Sequence, residues 1–389
     1  MTDHDGKSEL TGPTAPLEPD PWESSSSVEI APEPLSALIG EAPPVPKAPE
    51  RSPQQPPPAR SFEPPRLRVA LALFVLTCVT TTAVHLTLTH QPGGLRELML
   101  MVYEKPKLLR PALIYALALM GILLVHDLGH SLAAIRNKVQ QSYPYFIPFP
   151  SVIGTLGSIV FLRAPPKTRG TLLRVGASGP LIGMAVAIPV TAYGLTLSAP
   201  LNMDEVPGGS TWLGNSLLFT ALAEFFSPNG IEVQLHPLAF AGWVAMFVTS
   251  LNLIPASQLD GGHISYALFG KKAWILAITV VIGLLAYGLF LTFDGTYGAY
   301  AGAPWLIWGT LLFVLGTGHP PVRDPQLPLK ATEIMAALCA VALLVATFVP
   351  VPVQIVPDNP GEAEFLEQED EPEQDWSVDG EDDPESFDL

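Results

Sequence analysis

His126-Asp127-Leu128-Gly129-His130 stands inside an apolar stretch, Pro111 to Ala134, that contains no Lys, Arg or Glu and whose one acid is Asp127. Ionisable groups at membrane depth are costly and tend to mark functional sites. Two histidines four residues apart lie on one helix face, one turn above the other. This is metal-ligand spacing, the arrangement of the H-E-x-x-H zinc motif with Asp in place of the acid. A single intramembrane histidine is more often satisfied by a neighbouring helix than bound to a metal. The pair with an acid between them favours the metal.

The surrounding chain has the composition of a membrane protein with polar ends. It is 48% hydrophobic yet carries a net charge of -17, so the charge must be segregated. Residues 357–389 hold fifteen Asp/Glu and no base, and residues 1–66 hold eleven acids, five bases and sixteen of the 42 prolines. That leaves +4 for 67–356, the part expected to form the membrane-embedded domain. Both acidic tails read as disordered, being too charged or proline-rich to bury a core. Cys78 and Cys339 lie in separate apolar runs and suggest no disulfide framework. The acidic N-terminus lacks the basic-then-apolar pattern of a cleaved signal peptide.

A bilayer helix needs about 20 mostly apolar residues. Candidate spans are 67–90, 111–136, 171–199, 237–259, 273–293, 301–318 and 331–350, the 301–318 run being short and Gly-rich. The expected fold is therefore a polytopic α-helical membrane protein with six or seven transmembrane helices. Arg60, Arg66 and Arg68 precede the first span, six Lys/Arg lie between the second and third, and Lys271 and Lys272 follow the fourth. Segments 200–236 and 294–302 have none. By the positive-inside rule this puts the N-terminus in the cytoplasm and the C-terminal tail outside. The 91–110 loop, with Arg96, Lys105, Lys107 and Arg110, runs against the bias.

Between the second and third spans, Tyr143-Pro144-Tyr145-Phe146-Ile147-Pro148-Phe149-Pro150 is apolar but too proline-rich for a normal helix. Gly154 to Ser158 reads as a glycine-marked turn leading into a strand through Ile159, Val160, Phe161 and Leu162. Exposed backbone is tolerated at membrane depth only under cover of protein or a water-filled cavity. A small re-entrant β-hairpin beside the 111–136 helix satisfies that rule; an interfacial loop is the plainer alternative.

Catalytic zinc takes three protein ligands and keeps one position open. His126 and His130 supply two. The best third is Asp260 in Gln258-Leu259-Asp260-Gly261-Gly262-His263, at the end of the 237–259 span, which alternation brings to the same face. His130 is six residues from Arg136, about 9 Å at the helical rise, so the metal would sit inside the bilayer near that face. Asn252 and Pro255 precede Asp260, and the adjoining glycines are expected to help unwind the helix end and bring the carboxylate to the metal. On local sequence alone, Asp260 could equally cap a helix or begin a turn.

With these residues in order, the chain over about 110–270 resembles the site-2 protease family of polytopic zinc metalloproteases, which cut substrates within membranes. His126 to His130 matches the family's H-E-x-G-H form except for Asp127. The 143–150 and 154–158 segments look like those of a subgroup of bacterial and plastid members. His236-Pro237 through Trp243, Asn252-Leu253-Ile254-Pro255 and Leu259 to His263 look like the family's second metal-site helix. The resemblance implies one Zn²⁺ per chain at His126, His130 and Asp260, with Asp127 handling protons. It implies a transmembrane protein as substrate. The re-entrant strand suggests its presentation, with the extended substrate adding to an edge strand at Ile159, Val160, Phe161 and Leu162 and contacting Asn252, although the same segment could only plug the cavity. The partners expected are that substrate and the lipid bilayer, with no nucleic acid, and the expected location is a bacterial inner membrane. Asp is one methylene, about 1.5 Å, shorter than Glu, and misplacement on the order of 1 Å can cost about a hundredfold in rate. A catalytically inactive scaffold that binds membrane clients is therefore the first alternative. A metal transporter, which needs polar sites strung across the bilayer, is the second.

Overall fold

A computed structural model describes residues 67–149, 151, 153–201, 211–227, 233–294, 296–298 and 300–355. The expected disordered tails, 1–66 and 357–389, lie outside the described residues. Ten α-helices and three two-stranded antiparallel β pairs are seen among the described residues. In chain order the helices are α1 (Leu67–His90), α2 (Leu95–Glu104), α3 (Leu109–Arg136), α4 (Arg169–Thr196), α5 (Leu217–Phe226), α6 (Pro237–Leu253), α7 (Asp260–Phe269), α8 (Ala273–Asp294), α9 (Ala303–Leu315) and α10 (Ala331–Thr347). The strands are β1 (Tyr145–Pro148), β2 (Thr155–Ile159), β3 (Ala199–Pro200), β4 (Thr211–Leu213), β5 (Val233–Gln234) and β6 (Val353–Ile355).

Four stretches are long and apolar enough to cross a membrane: Leu67–His90, Pro106–Arg136, Arg169–Thr196 and Asp260–Asp294. The other expected spans form shorter helices, because their ends are fixed by local chemistry. The 237–259 span stops at Leu253, ahead of Pro255, and the chain resumes as α7 from Asp260. Proline cannot donate to a helix and restricts the residue before it. In the 301–318 run, α9 covers only 303–315 and ends at Gly316, whose φ of 87° is the left-handed stop that favours glycine. Half of the charged 91–110 loop is the helix α2.

Threonines inside the apolar helix α1 are satisfied locally. In α1, Thr77 and Thr81 donate to the carbonyls of Leu73 and Thr77, each at 2.8 Å, the back-bonding that lets Ser and Thr sit in a helix away from water. α1 packs on α3 near the start of α3, where the His85 ring lies 5.1 Å from Tyr115 and Tyr115 stacks on Phe240 of α6 at 4.8 Å.

The hairpin of β1 and β2 pairs Tyr145 with Ile159, Phe146 with Ser158 and Pro148 with Thr155, with an irregularity after Phe146. It is wedged between α1 and α3. Phe146 is buried against Phe74, Thr80 donates to the Gly154 carbonyl at 2.8 Å, and Tyr115 donates to the Ile153 carbonyl at 3.0 Å. Gly154 is required twice over. Its φ is +87°, and a Cβ there would lie 2.7 Å from the Thr81 Cα. The expected strand at Ile159 to Leu162 is displaced: β2 is 155–159, and only a bridge from Gln141 to Leu162 continues the ladder. The register is pinned further back, by Thr155 Oγ1 donating to the Ile147 carbonyl at 3.0 Å.

α4 runs through the centre of the bundle, between α3, α6 and α7. Thr168 caps it by accepting from the Thr171 amide at 3.1 Å. At this end Arg174 donates to Asn137 after α3 and forms an ion pair with the buried Glu333 of α10. At the other end of the molecule β4 pairs with β6, joining the chain before α5 to the chain after α10.

Candidate metal centre

α3 presents His126 and His130 on one face, as their spacing requires. α7 brings Asp260 to them from the break after α6. The donor atoms converge: His126 Nε2 lies 3.2 Å from Asp260 Oδ2, His130 Nε2 lies 3.2 Å from Asp260 Oδ1, and the two Nε2 atoms are 3.1 Å apart. A tetrahedral zinc with bonds of about 2.0–2.1 Å has ligand atoms on the order of 3.3 Å apart, so this donor set fits the ion in both chemistry and spacing. Among the described residues it is the one cluster of three or more His, Cys, Asp or Glu able to hold a metal.

The supports around the ligands suit that role. His130 Nδ1 donates to the Val175 carbonyl at 2.8 Å, which fixes the tautomer leaving Nε2 with its lone pair toward Asp260. α4 approaches through glycines. A Cβ at Gly179 would collide with the His130 ring, and one at Gly183 or Gly176 would lie 2.9 Å from the Cβ of His126 or His263. Small residues let helices come this close where the lipid offers no hydrophobic drive to pack. From the other side, a Cβ at Gly129 would lie 2.8 Å from the Ser178 carbonyl oxygen.

Asp127 is 3% exposed. Its Oδ1 accepts from Ser158 Oγ of β2 at 2.7 Å. Its Oδ2 is buried with no hydrogen-bond partner among the described residues. An orphaned carboxylate oxygen is costly to keep, and it stands on the residue next to a metal-ligand candidate.

Asp260 is the first residue of α7 rather than the last of a long span, which corrects the expected unwinding by its glycines. Gly261 and Gly262 are helical and needed for close approach: a Cβ on either would collide with carbonyl oxygens of the 253–257 segment. Pro255, not the glycines, accompanies the break. His263 hydrogen-bonds to His319 at 2.6 Å, outside the three-ligand cluster. Asn252 is half-buried near the end of α6 and makes no side-chain hydrogen bond among the described residues. Of the four expected strand residues only Ile159 is in β2; its side chain and that of Phe161 are exposed. Sequence reasoning missed Ser158, the Val175 carbonyl and the α4 glycines. The Gly179-x-x-x-Gly183 spacing was the available signal, since small-x-x-x-small marks a packing face in membrane helices.

Residues 114–288 match the family model described as peptidase family M50. This part of the chain resembles peptidase family M50, the site-2 protease family. Among its relatives, a probable zinc metalloprotease of Arabidopsis thaliana chloroplasts (EGY1) is 30% identical over 313 residues, 73% of this chain and 53% of the relative. The EGY1 of Oryza sativa subsp. japonica is 31% identical over 247 residues, 61% of this chain and 41% of the relative. The Arabidopsis EGY2, also a probable chloroplast zinc metalloprotease, is 29% identical over 273 residues, 67% and 45%. The chain thus spans about half the length of the curated relatives it matches. No solved structure matches it. The M50 match and the four apolar helices make this a membrane protein. The chloroplast location of these relatives counts against the bacterial inner membrane expected from sequence.

Proposed function

We propose that the chain is a zinc-dependent endopeptidase that hydrolyses a peptide bond in or near the transmembrane segment of a protein substrate. The observation that carries this reading is the convergence of His126, His130 and Asp260 beside an Asp127 whose Oδ2 is buried and unpartnered. These three residues would hold one Zn²⁺, which when bound supplies Lewis-acid polarisation of the scissile carbonyl and activation of a water. Asp127 Oδ2 is the base that takes the proton of the attacking water and returns it to the leaving amine. Ser158 steadies that carboxylate through Oδ1 and leaves Oδ2 for the proton. Val175 holds the His130 ring, and the α4 glycines exclude bulk water from the face behind the ligands.

A helical substrate hides its amides in its own hydrogen bonds. In this reading it is opened by adding to the free edge of β2, with Ile159, Val160, Phe161 and Leu162 along the exit of the strand and Asn252 facing the same cleft. The hairpin's attachment to Asp127 through Ser158 supports presentation at the site rather than elsewhere. The shorter helices α6, α9 and α10 complete a seven-crossing path, with α6 as the fourth. The N-terminal side then shares a face with Arg136 and the C-terminal side lies opposite, where β6 meets β4. Labelling single cysteines placed in 1–60 and 360–389 tests this: modification from opposite sides is expected, and modification from one side contradicts it.

Asp127 in place of Glu favours a second reading, a metal-holding scaffold that binds membrane proteins without cutting them. The transporter alternative needs a series of polar sites, whereas the described metal-capable side chains form one cluster. The experiment that separates enzyme from scaffold is cleavage of a single-span reporter by purified protein. The enzyme cuts it, stops when a chelator removes its one zinc per chain, and recovers on zinc addition. Intact reporter with a zinc-loaded, folded protein favours the scaffold.

A further inference from the structure

We propose that a pocket at the base of the hairpin is a binding site for a phosphate-bearing anion, either a phospholipid headgroup or free phosphate. Three cations from three separate segments line a cavity of about 210 Å³: Lys138 just after α3, Lys167 just before α4, and Arg323 between α9 and α10. The remaining lining is Val139, Gln140, Ala164, Pro165 and Pro166, so no carboxylate contributes to the wall. None of the three cations makes an ion pair or side-chain hydrogen bond within the described residues. Like charges gathered without partners repel, and a bound anion relieves that repulsion.

The gathering is built by the backbone. Lys138 sits at φ +56°, a left-handed position that few non-glycine residues hold. The Arg323 amide donates to the Pro166 carbonyl at 3.1 Å and the Asp324 amide to the Lys167 carbonyl at 2.8 Å, tying the α9–α10 connection to the lead-in of α4. Arg136 and Arg169, the ends of two helices apolar enough to cross a bilayer, bracket the pocket in sequence, which puts it at headgroup level.

The walls at 138–140 and 164–167 are the two feet of the hairpin segment. Arg163 N donates to the Gln140 carbonyl at 2.9 Å and Ser142 N to the Phe161 carbonyl at 2.9 Å just above them. An anion clamped between Lys138 and Lys167 closes the feet together, and the same hairpin carries Ser158 to Asp127. The pocket is thus a site through which the membrane's anionic lipid content, or phosphate, steadies the hairpin.

The test places full-length protein in nanodiscs of phosphatidylcholine with a minority of phosphatidylglycerol and counts retained phosphatidylglycerol by native mass spectrometry. Wild type should retain it. Lys138→Gln/Lys167→Gln should lose retention roughly 30-fold, from about fivefold per cation at an anionic surface. Arg323→Gln, on a different segment, should lose about fivefold. Lys271→Gln/Lys272→Gln removes the same charge on the same face and should keep it. In lipid-stripped protein, titration with inorganic phosphate separates the sources: binding that depends on Lys138 and Lys167 assigns free phosphate, and its absence alongside lipid retention in the nanodiscs assigns the headgroup. Equal losses in the two double variants would show diffuse surface attraction and overturn the proposal. So would unchanged retention in Lys138→Gln/Lys167→Gln.

Discussion

Glycines bring α4 against α3 and α7, and glycines also bring α8 against α9, but only the first interface encloses ionisable side chains. At the second, a Cβ on Gly288 would lie 2.9 Å from Leu306 Cγ and 3.0 Å from the Gly302 carbonyl oxygen, and one on Gly309 would lie 2.9 Å from a Leu285 methyl. The packing device is the same, and it answers the same need for dispersion contacts in a solvent as apolar as the helices. What differs is the cargo. Opposite Gly183, Gly179 and Gly176 stand His126, His130 and His263; opposite Gly288 and Gly309 stand leucines. Close approach supplies stability in both places, and the residues facing the glycines decide whether a site results.

The sharpest way to break that comparison is Gly179→Ala. Its methyl meets the Nε2 atom of His130, and turning the ring away forfeits the hydrogen bond to Val175. Loss of such an orienting contact typically costs about 10–100-fold in metal affinity, and direct obstruction adds to it. Purified Gly179→Ala should carry little zinc by elemental analysis, and reporter cleavage should fall with it. Full zinc content would show that the α4 face does not support the ligands.

Ser158→Ala should act on the chemistry and spare the metal. It removes the one hydrogen bond to Asp127, a contact to a charged group worth about 1.5–3 kcal/mol, so the cleavage rate should fall about tenfold or more with unchanged zinc. An unchanged rate would detach the hairpin from the proton-transfer step.

Gly288→Ala is the matched change at the second interface. Overpacking there should cost about 1–3 kcal/mol, seen as a lower thermal midpoint in detergent, with zinc per chain intact at low temperature. Zinc loss from the folded variant would mean that the two interfaces are not separable.

The smallest effect concerns His236, which caps α6 by accepting from the Leu238 amide at 3.3 Å. Burial lowers its pKa, so the neutral, accepting form is favoured in the folded protein. Its contribution is complete above the unfolded imidazole pKa of about 6.5 and fades as pH falls below it. His236→Ala should cost about 0.5–1 kcal/mol near neutral pH and less in mild acid; a cost that grows with acidity would contradict the cap.

The pairing of His126 with His130 was legible because helical periodicity is local: the two share a face in any α-helix. Asp260 depended on motif order, since nothing near it in sequence says which distant residues it meets. The hairpin was legible from what proline and glycine forbid, but its strand boundaries were not. They follow from the Thr155–Ile147 contact and the irregularity after Phe146, both set across the pair. Ser158 and the Val175 carbonyl were invisible for the same reason, since a serine in a glycine turn and a backbone oxygen carry no mark of the partner they will find.

The central claim is that Asp127 is the working proton carrier of a zinc peptidase, and the most direct measurement compares reporter cleavage by wild type, Asp127→Asn and Asp127→Glu at equal zinc content. Asp127→Asn should keep its zinc and lose cleavage, because the amide cannot exchange the proton. Asp127→Glu should cut at least as fast as wild type, since the longer side chain restores the usual reach. A wild type no faster than Asp127→Asn, with both folded and zinc-bound, would contradict the account.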